Sequence, residues 1–184
     1  MDWLLSLCLG IGLSAACGFR VFVPLLVMSI ASHCGYLSLG HGFQWIGSWP
    51  ATAALTVATA VEIVAYLVPW LDNLLDAAAS PIAVMAGIIV TASLITDVSP
   101  LLRWSMAVIA GGSAAGIVQA ATVSLRGASS ATTAGVANPV ISIGESIAAF
   151  VTSALAIVVP LLAALAVLLL CIVIVRRLIR LSAA

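Results

Sequence analysis

Two acidic residues lie deep inside apolar stretches of the sequence, where an ionised carboxylate is costly unless it is paired, hydrated or protonated. Glu62 follows Pro50 by twelve residues, and Glu145 follows Pro139 by six. Carboxylates in such surroundings are typical ligands for a proton, a coupling ion or a small solute. The alternative is structural, with each acid held in an ion pair or hydrogen bond that fixes how helices pack.

Three further polar residues in apolar surroundings are candidates for the same site. Arg20 follows Ser14 by six residues, and Gln119 follows Ser113 by the same interval. A membrane arginine needs an anion, an acid or free carbonyl groups as its partner. Arg20 therefore has either a substrate or gating role or a structural pairing with one of the acids. Asn138, at the start of the last long apolar stretch, is expected to line the path with Arg20.

Asp72 and Asp76 are four residues apart, so a helix would place both on one face. Two like charges at this spacing repel each other unless a positive group lies between them. A cation site, with help from Asn73, is one interpretation of the pair. A solvated cytoplasmic face is the other interpretation, and the sequence favours it.

The remaining reactive side chains predict neither catalysis nor metal binding. The four cysteines lack metal-ligand spacing, and the two histidines of the loop at 32–49 are expected to face solvent. The sequence contains no nucleophile–base pair and no cofactor motif. We therefore expect no enzymatic activity, no metal site and no cofactor.

Composition defines the environment of these residues. Hydrophobic residues make up 64% of the chain and charged residues 7%, too few to cover the surface of a soluble domain. The formal net charge is zero, which makes nucleic acid an implausible partner. The expected partners are the lipid bilayer, a small solute or ion, and further copies of the chain in a homodimer or higher homo-oligomer.

Apolar stretches of about 20 residues predict an all-α polytopic membrane protein with about six transmembrane segments. The first stretch is longer than one span needs, and its glycines and Pro24 predict a bend or break. The last stretch would be roughly 55 Å long as a single helix, so we expect two spans hinged near Pro160. The six predicted spans are 3–31, 50–69, 81–96, 101–125 and the two halves of 139–175. Between them we expect a loop at 32–49, a short amphipathic helix at 70–80, and a loop or re-entrant piece at 126–138.

Two similar segments about a hundred residues apart indicate an internal duplication. Gly12-Leu-Ser-Ala-Ala-Cys-Gly18 recurs as Gly111-Gly-Ser-Ala-Ala-Gly116, each ahead of an X-Pro step and a buried acid. Three spans per copy, in repeats 3–96 and 101–180, would invert the second copy and bring both glutamates to one depth. The small residues are best explained as a seam for close helix packing. Unwound helices that expose backbone carbonyls to a cavity are the alternative.

The charges near the ends of the spans predict the orientation. Arg176, Arg177 and Arg180 follow the last apolar stretch and mark a cytoplasmic C-terminus by the positive-inside rule. With six spans, the N-terminus and Arg126 fall on the same side. We expect a multi-pass protein of the bacterial cytoplasmic (inner) membrane with both termini in the cytoplasm.

Three motifs, taken in order, resemble a known family. They are Ser-Ala-Ala-Cys-Gly-Phe-Arg-Val-Phe-Val-Pro-Leu-Leu at 14–26, Val-Pro-Trp-Leu-Asp-Asn-Leu-Leu-Asp at 68–76 followed by Pro81, and Asn-Pro-Val-Ile-Ser-Ile-Gly-Glu at 138–145. They resemble bacterial membrane proteins known as domain of unknown function forty-one twenty-six, over most of the chain. The chain departs from the family pattern at Ala65-Tyr66-Leu67, where a charged step is expected, so no charge pairing is carried over there. The resemblance implies a membrane fold and this choice of site residues, but no substrate.

These observations together predict a membrane transporter or channel for a small solute or ion. Its site would lie between the repeats, with Glu62 and Glu145 as central ligands or proton acceptors. The alternative is a membrane scaffold or lipid-binding protein that transports nothing and whose buried charges are structural.

Overall fold

The computed structural model describes the backbone of residues 3–68, 71–96 and 98–182, and their side chains except 72, 73, 178 and 180–182. All regular structure in this part of the chain is helical. A short 3-10 turn at Gln44–Gly47 precedes α3, and a π-helical segment at Ala107–Gly112 joins α5 to α6 without a break. The α-helices are α1 (Trp3–Cys17), α2 (Phe22–His33), α3 (Trp49–Ala65), α4 (Leu71–Leu94), α5 (Pro100–Met106), α6 (Ser113–Thr133), α7 (Asn138–Val158) and α8 (Pro160–Ser182).

Four stretches of helix in the described residues are long and apolar enough to cross a membrane. They are Leu74–Leu94, Pro100–Thr133, Asn138–Val158 and Pro160–Arg177. α1, α2 and α3 are apolar as well, but each is only 12 to 17 residues long. The chain is therefore a helical membrane protein, whereas the predicted number of six spans is not established.

The first apolar stretch is broken at 18–21, and the chain turns back there. The Ser14 hydroxyl bonds the Gly87 carbonyl oxygen (2.7 Å) and the Thr91 hydroxyl (2.8 Å), while the Met28 sulfur lies 3.7 Å from the Ser93 hydroxyl. A continuous helix would separate Ser14 from Met28 by roughly 21 Å, yet their partners on α4 are only about 3 to 9 Å apart along its axis. α1 and α2 therefore form a helical hairpin whose tip is the break.

The two Ser-Ala-Ala segments run in the same direction past α4. A Cβ atom at Gly10 would lie 3.1 Å from Thr91, and Ser14 bonds Gly87, so α1 descends α4 as the sequence advances. In the second copy, Gly111 abuts both of these α4 residues, and Gly116 abuts Val84. The predicted inverted repeat is therefore wrong. The physical reason is the hairpin, which adds a fourth helix before α5. With four helices before it instead of three, the second copy runs in the same direction as the first.

The ends of the described chain lie toward opposite ends of the bundle. α1 starts at the end of α4 that carries Thr91. At the tip of the hairpin, which follows α1, Arg20 reaches Glu145. α8 starts beside Gly12, where a Cβ atom would lie 3.6 Å from the Ala163 Cβ. It then descends until Leu170 and Ile174 border a cavity with Glu145. The prediction that both termini lie on one side is therefore wrong, again because the first stretch folds back on itself.

Two element boundaries differ from those expected. The predicted amphipathic helix at 70–80 and the span after it are one helix, α4, with Pro81 inside it, because a membrane bundle tolerates an internal proline. The small polar stretch from 126 onward continues α6 as far as Thr133, and its hydroxyls donate to carbonyls one turn back, as from Thr132 to Ala128 (2.9 Å). The helix ends where Ala134 adopts a φ of 51°. The hinge near Pro160 is confirmed, since α7 ends at Val158 and α8 begins at Pro160.

Candidate functional site

Arg126 is at the centre of a cluster of buried charges. Its Nη1 donates to Asp76 Oδ1 at 2.5 Å, while its Nη2 and Nε reach the two oxygens of Glu145 at 2.9 and 3.2 Å. A guanidinium that engages a carboxylate through two nitrogens is the strongest type of side-chain ion pair. The Arg126 residue is 1% exposed. One helix, α6, thus ties α4 and α7 together through a single side chain.

The environment of Asp76 differs from both interpretations of its sequence. It is buried, and its counter-ion is Arg126, so neither a solvated face nor a free cation site describes it. The sequence places Arg126 just past a predicted span, where an arginine usually marks a loop. The extension of α6 instead places Arg126 inside the bundle. The side chain of Asp72 lies outside the described residues.

Arg20 reaches the same cluster from the tip of the hairpin. Its Nη2 lies 3.4 Å from Glu145 Oε2 and donates to the carbonyl oxygen and the hydroxyl of Ser142, at 3.0 and 2.5 Å. Its Nε donates to the Ser146 hydroxyl at 3.2 Å. These contacts hold the hairpin tip against α7, which is the geometry of a structural pairing between Arg20 and an acid.

Tyr66 separates the two arginines. The guanidinium carbon of Arg20 lies 4.0 Å from the centroid of its ring, and that of Arg126 lies 4.4 Å away. An aromatic face attracts a cation, and guanidinium groups stack on it readily. The ring therefore lowers the repulsion between two buried positive charges. Tyr66 belongs to the Ala65-Tyr66-Leu67 segment, where the sequence departs from the family pattern. At this helix end the arginines therefore contact an aromatic ring.

Glu62 makes a different kind of contact. Its two oxygens accept hydrogen bonds from the backbone N–H groups of Val21 (2.8 Å) and Phe22 (3.0 Å) at the start of α2. These N–H groups have no partner within their own helix, and the helix dipole favours a negative charge there. Among the described side chains, no basic nitrogen lies within 4.0 Å of the Glu62 carboxylate. Glu62 caps the second arm of the hairpin.

Each glutamate borders its own cavity. Glu62 lies on the wall of a cavity of about 640 Å³ between the start of α2, α3 and the first half of α4. Glu145 borders a second cavity, of about 410 Å³, between α6, α7 and α8. Glu62 and Tyr66 contribute the polar side chains of the larger cavity, and every other residue lining it is apolar. The larger cavity is thus apolar and open on one side, with one acidic residue among those that line it.

The cluster carries an excess of negative charge. Among the described side chains, the three carboxylates of Glu62, Asp76 and Glu145 face the two guanidinium groups of Arg20 and Arg126. The two positive charges contact Glu145 and Asp76 directly, so the excess resides at Glu62. Within the described residues, no group of three His, Cys, Asp or Glu side chains is arranged to hold a metal ion.

Two predicted site residues lie apart from these contacts. Gln119 is buried on α6 where the hairpin passes, since a Cβ atom at Gly18 would lie 2.9 Å from its backbone nitrogen. Asn138 is buried at the start of α7, and its Nδ2 donates to the Ser130 hydroxyl at 2.9 Å. Asn138 thus links the start of α7 to α6, whereas the Nε2 of Gln119 is buried without a hydrogen-bond partner among the described residues.

Sequence reasoning missed four members of the cluster: Arg126, Tyr66, Ser142 and Ser146. A signal for the serines was present, because Ser142 precedes Glu145 by three residues and Ser146 follows Ser142 by four, spacings that place each pair on one face of α7. Tyr66 is four residues after Glu62, which also predicts a shared face. Arg126 had no such signal, since the helix that buries it was expected to end one residue earlier.

The apolar helices and the buried charges define an integral membrane protein of the all-helical class. Residues 7–180 match the family model described as "Domain of unknown function (DUF4126)", and the chain belongs to this family. The resemblance inferred from the three motifs is thereby confirmed. No curated protein and no solved structure matches the chain.

Proposed function

We propose that this protein is a membrane transporter or channel for a small solute or ion, with Glu62 as the group that binds it. The observation that carries this proposal is that the acidic residue Glu62 lines an apolar cavity of about 640 Å³, beside the break between the two arms of the helical hairpin. Interrupted helices in the membrane interior commonly form the binding sites of transporters. A cavity of this volume is in the range that holds a small molecule.

The two glutamates have different roles in this proposal. Glu145 is engaged by two arginines, and it positions the hairpin rather than binding a solute. Glu62 is half-buried and keeps carboxylate lone pairs beyond its two backbone hydrogen bonds. A cation or proton that neutralises Glu62 weakens its attraction to the α2 terminus, an interaction of about 0.3–1 kcal/mol at a typical helix end. Occupancy of the cavity is thereby coupled to the position of the hairpin.

Glu62→Gln is expected to reduce flux at least tenfold while the protein stays folded, because the amide keeps the shape and removes the charge. The measurement is current on a solid-supported membrane carrying proteoliposomes, after concentration jumps of H⁺, Na⁺, K⁺ and tetraethylammonium. Arg177→Gln, an exposed position near the end of α8, is the control for reconstitution. Equal currents from the wild type and Glu62→Gln would show that Glu62 does not bind the transported species.

A second candidate function is a membrane scaffold or lipid-binding protein that transports nothing. The observation that favours it is the ion pairing within the cluster, in which Arg126 contacts Asp76 and Glu145, and Arg20 contacts Glu145. A scaffold carries no current for any of the four cations, and Glu62→Gln would then only lower its melting temperature in detergent. The current measurement therefore separates the two functions.

For the location, we propose the bacterial cytoplasmic membrane with the C-terminus in the cytoplasm and the N-terminus outside. Arg176 and Arg177 lie near the end of α8, at the same end of the bundle as Arg126, and the positive-inside rule places that end in the cytoplasm. Green fluorescent protein fused to the C-terminus is expected to fluoresce. When it is fused to the N-terminus and exported by the Sec route, it is expected to stay dark. Fluorescence from both fusions would contradict this topology.

For the assembly, we propose a homodimer or higher homo-oligomer without enzymatic activity. One copy of the bundle encloses little space at its centre, which is filled by the charged cluster and the small-residue seam. The mass of the purified protein in detergent, corrected for the bound detergent, measures the number of copies.

A further inference from the structure

The lining of the larger cavity restricts what can occupy it. A bare Na⁺ or K⁺ ion needs a shell of several oxygen ligands to replace its water. Glu62 and Tyr66 are the polar residues among those that line the cavity, and almost all of its surface is apolar. A small inorganic cation would therefore remain poorly coordinated, whereas an organic molecule would bury its apolar surface against Val57, Ala58 and Val61.

The charge of the cavity restricts the occupant further. The excess negative charge of the cluster resides at Glu62, so an anion is repelled. A neutral apolar molecule leaves the charge of Glu62 uncompensated in apolar surroundings, which is unfavourable. A monovalent cation compensates the charge. Phe22, on the same wall, offers an aromatic ring to an organic cation, while the ring of Tyr66 already contacts two guanidinium groups.

The position of the cavity indicates the route of entry. Val57 and Val61 on α3 and Ile82 on α4 border it and are 64%, 62% and 47% exposed on the outer surface of the bundle. These residues are apolar, and in this proposal the surface they form contacts the hydrocarbon of the bilayer. A ligand that partitions into the membrane can enter sideways between the two helices and reach Glu62 at the inner wall.

We infer that this cavity binds a hydrophobic monovalent organic cation, such as an aromatic ammonium or phosphonium ion, with its charge at Glu62 and its apolar groups between α3 and α4. The inference rests on the proposed transport function and names the class of its substrate. The occupant is a free cation taken from the bilayer. Its positive charge neutralises Glu62. The attraction between the Glu62 carboxylate and the backbone N–H groups at the start of α2 is thereby weakened.

The test is binding of radiolabelled tetraphenylphosphonium to the purified full chain in a non-ionic detergent, measured by equilibrium dialysis. Tetraphenylborate, which has the same shape and the opposite charge, is the matched ligand. We expect saturable binding of the phosphonium alone, weakened about tenfold or more by Glu62→Gln. Equal binding of the borate, or unchanged binding to Glu62→Gln, would overturn the inference.

A second pair of variants tests the cavity without altering the carboxylate. Ala58→Phe places a ring in the cavity and is expected to abolish phosphonium binding. Ala60→Phe, two residues along the same helix, is exposed and outside the cavity, and is expected to bind as the wild type does. If Ala58→Phe is folded and binds normally, the cavity is not the site.

Uptake of radiolabelled N-methyl-4-phenylpyridinium into proteoliposomes separates this inference from the function on which it rests. Binding of organic cations without uptake above protein-free liposomes would overturn transport and leave the binding site. Glu62-dependent currents of inorganic ions with no organic cation binding would overturn the substrate class and leave transport.

Discussion

Replacing Arg126 by alanine is expected to destabilise the fold by about 3–5 kcal/mol, the effect of removing one partner from a buried ion pair. Asp76 and Glu145 are both buried, and each loses its closest positive charge in this variant. The two carboxylates must then be protonated or hydrated inside an apolar bundle. We expect little monodisperse protein in detergent and a melting temperature well below that of the wild type.

Two variants define what Arg126 contributes. Arg177→Ala removes the same charge from an exposed position and should change stability by no more than about 0.5 kcal/mol. Arg126→Lys keeps the charge but loses the planar fork that spans two carboxylates, so its melting temperature should fall between those of the wild type and Arg126→Ala. Similar melting temperatures for Arg126→Ala and Arg177→Ala would show that the cluster does not hold the helices together.

Gly111→Ala is expected to cost about 1–3 kcal/mol, because the added methyl group has no space. It would lie 2.6 Å from the Gly87 carbonyl oxygen and closer still to the Thr91 hydroxyl. These same two residues bond Ser14, so the clash disturbs both Ser-Ala-Ala segments where they meet α4. The π-helical turn around Gly111 cannot relieve it, since Gly87 approaches as backbone.

The measurement is the melting temperature in detergent, with Gly127→Ala as the matched control. Gly127 lies further along the same continuous helix, and a Cβ atom there meets nothing within 4 Å. Alanine in an open helical position stabilises by roughly 0.5–1 kcal/mol relative to glycine. The two variants should therefore move in opposite directions. A decrease in both would point to a general sensitivity of this helix rather than to a packing seam.

Much of the site could be predicted from the sequence, because a charged residue is easily recognised within an apolar membrane segment. Glu62, Glu145 and Arg20 stand out in apolar stretches, and an ionisable group there requires a partner. The structure brings all three within one cluster. The choice of partners was beyond the sequence, because Arg126 lies just past a predicted span and Asp76 in a predicted amphipathic helix with a solvated face, where neither charge needs a buried partner.

The sequence by itself determined the membrane class, the family, the hinge near Pro160 and the need to neutralise the buried acids. These follow from local composition: apolar length, proline position and the cost of charge in hydrocarbon. The tertiary structure decided the direction of the helices. It also decided that Glu145 pairs with arginines while Glu62 binds the start of α2. A break of four residues at 18–21 can either bend a helix or reverse it, and the outcome depends on contacts with α4, α6 and α7 that are distant in sequence.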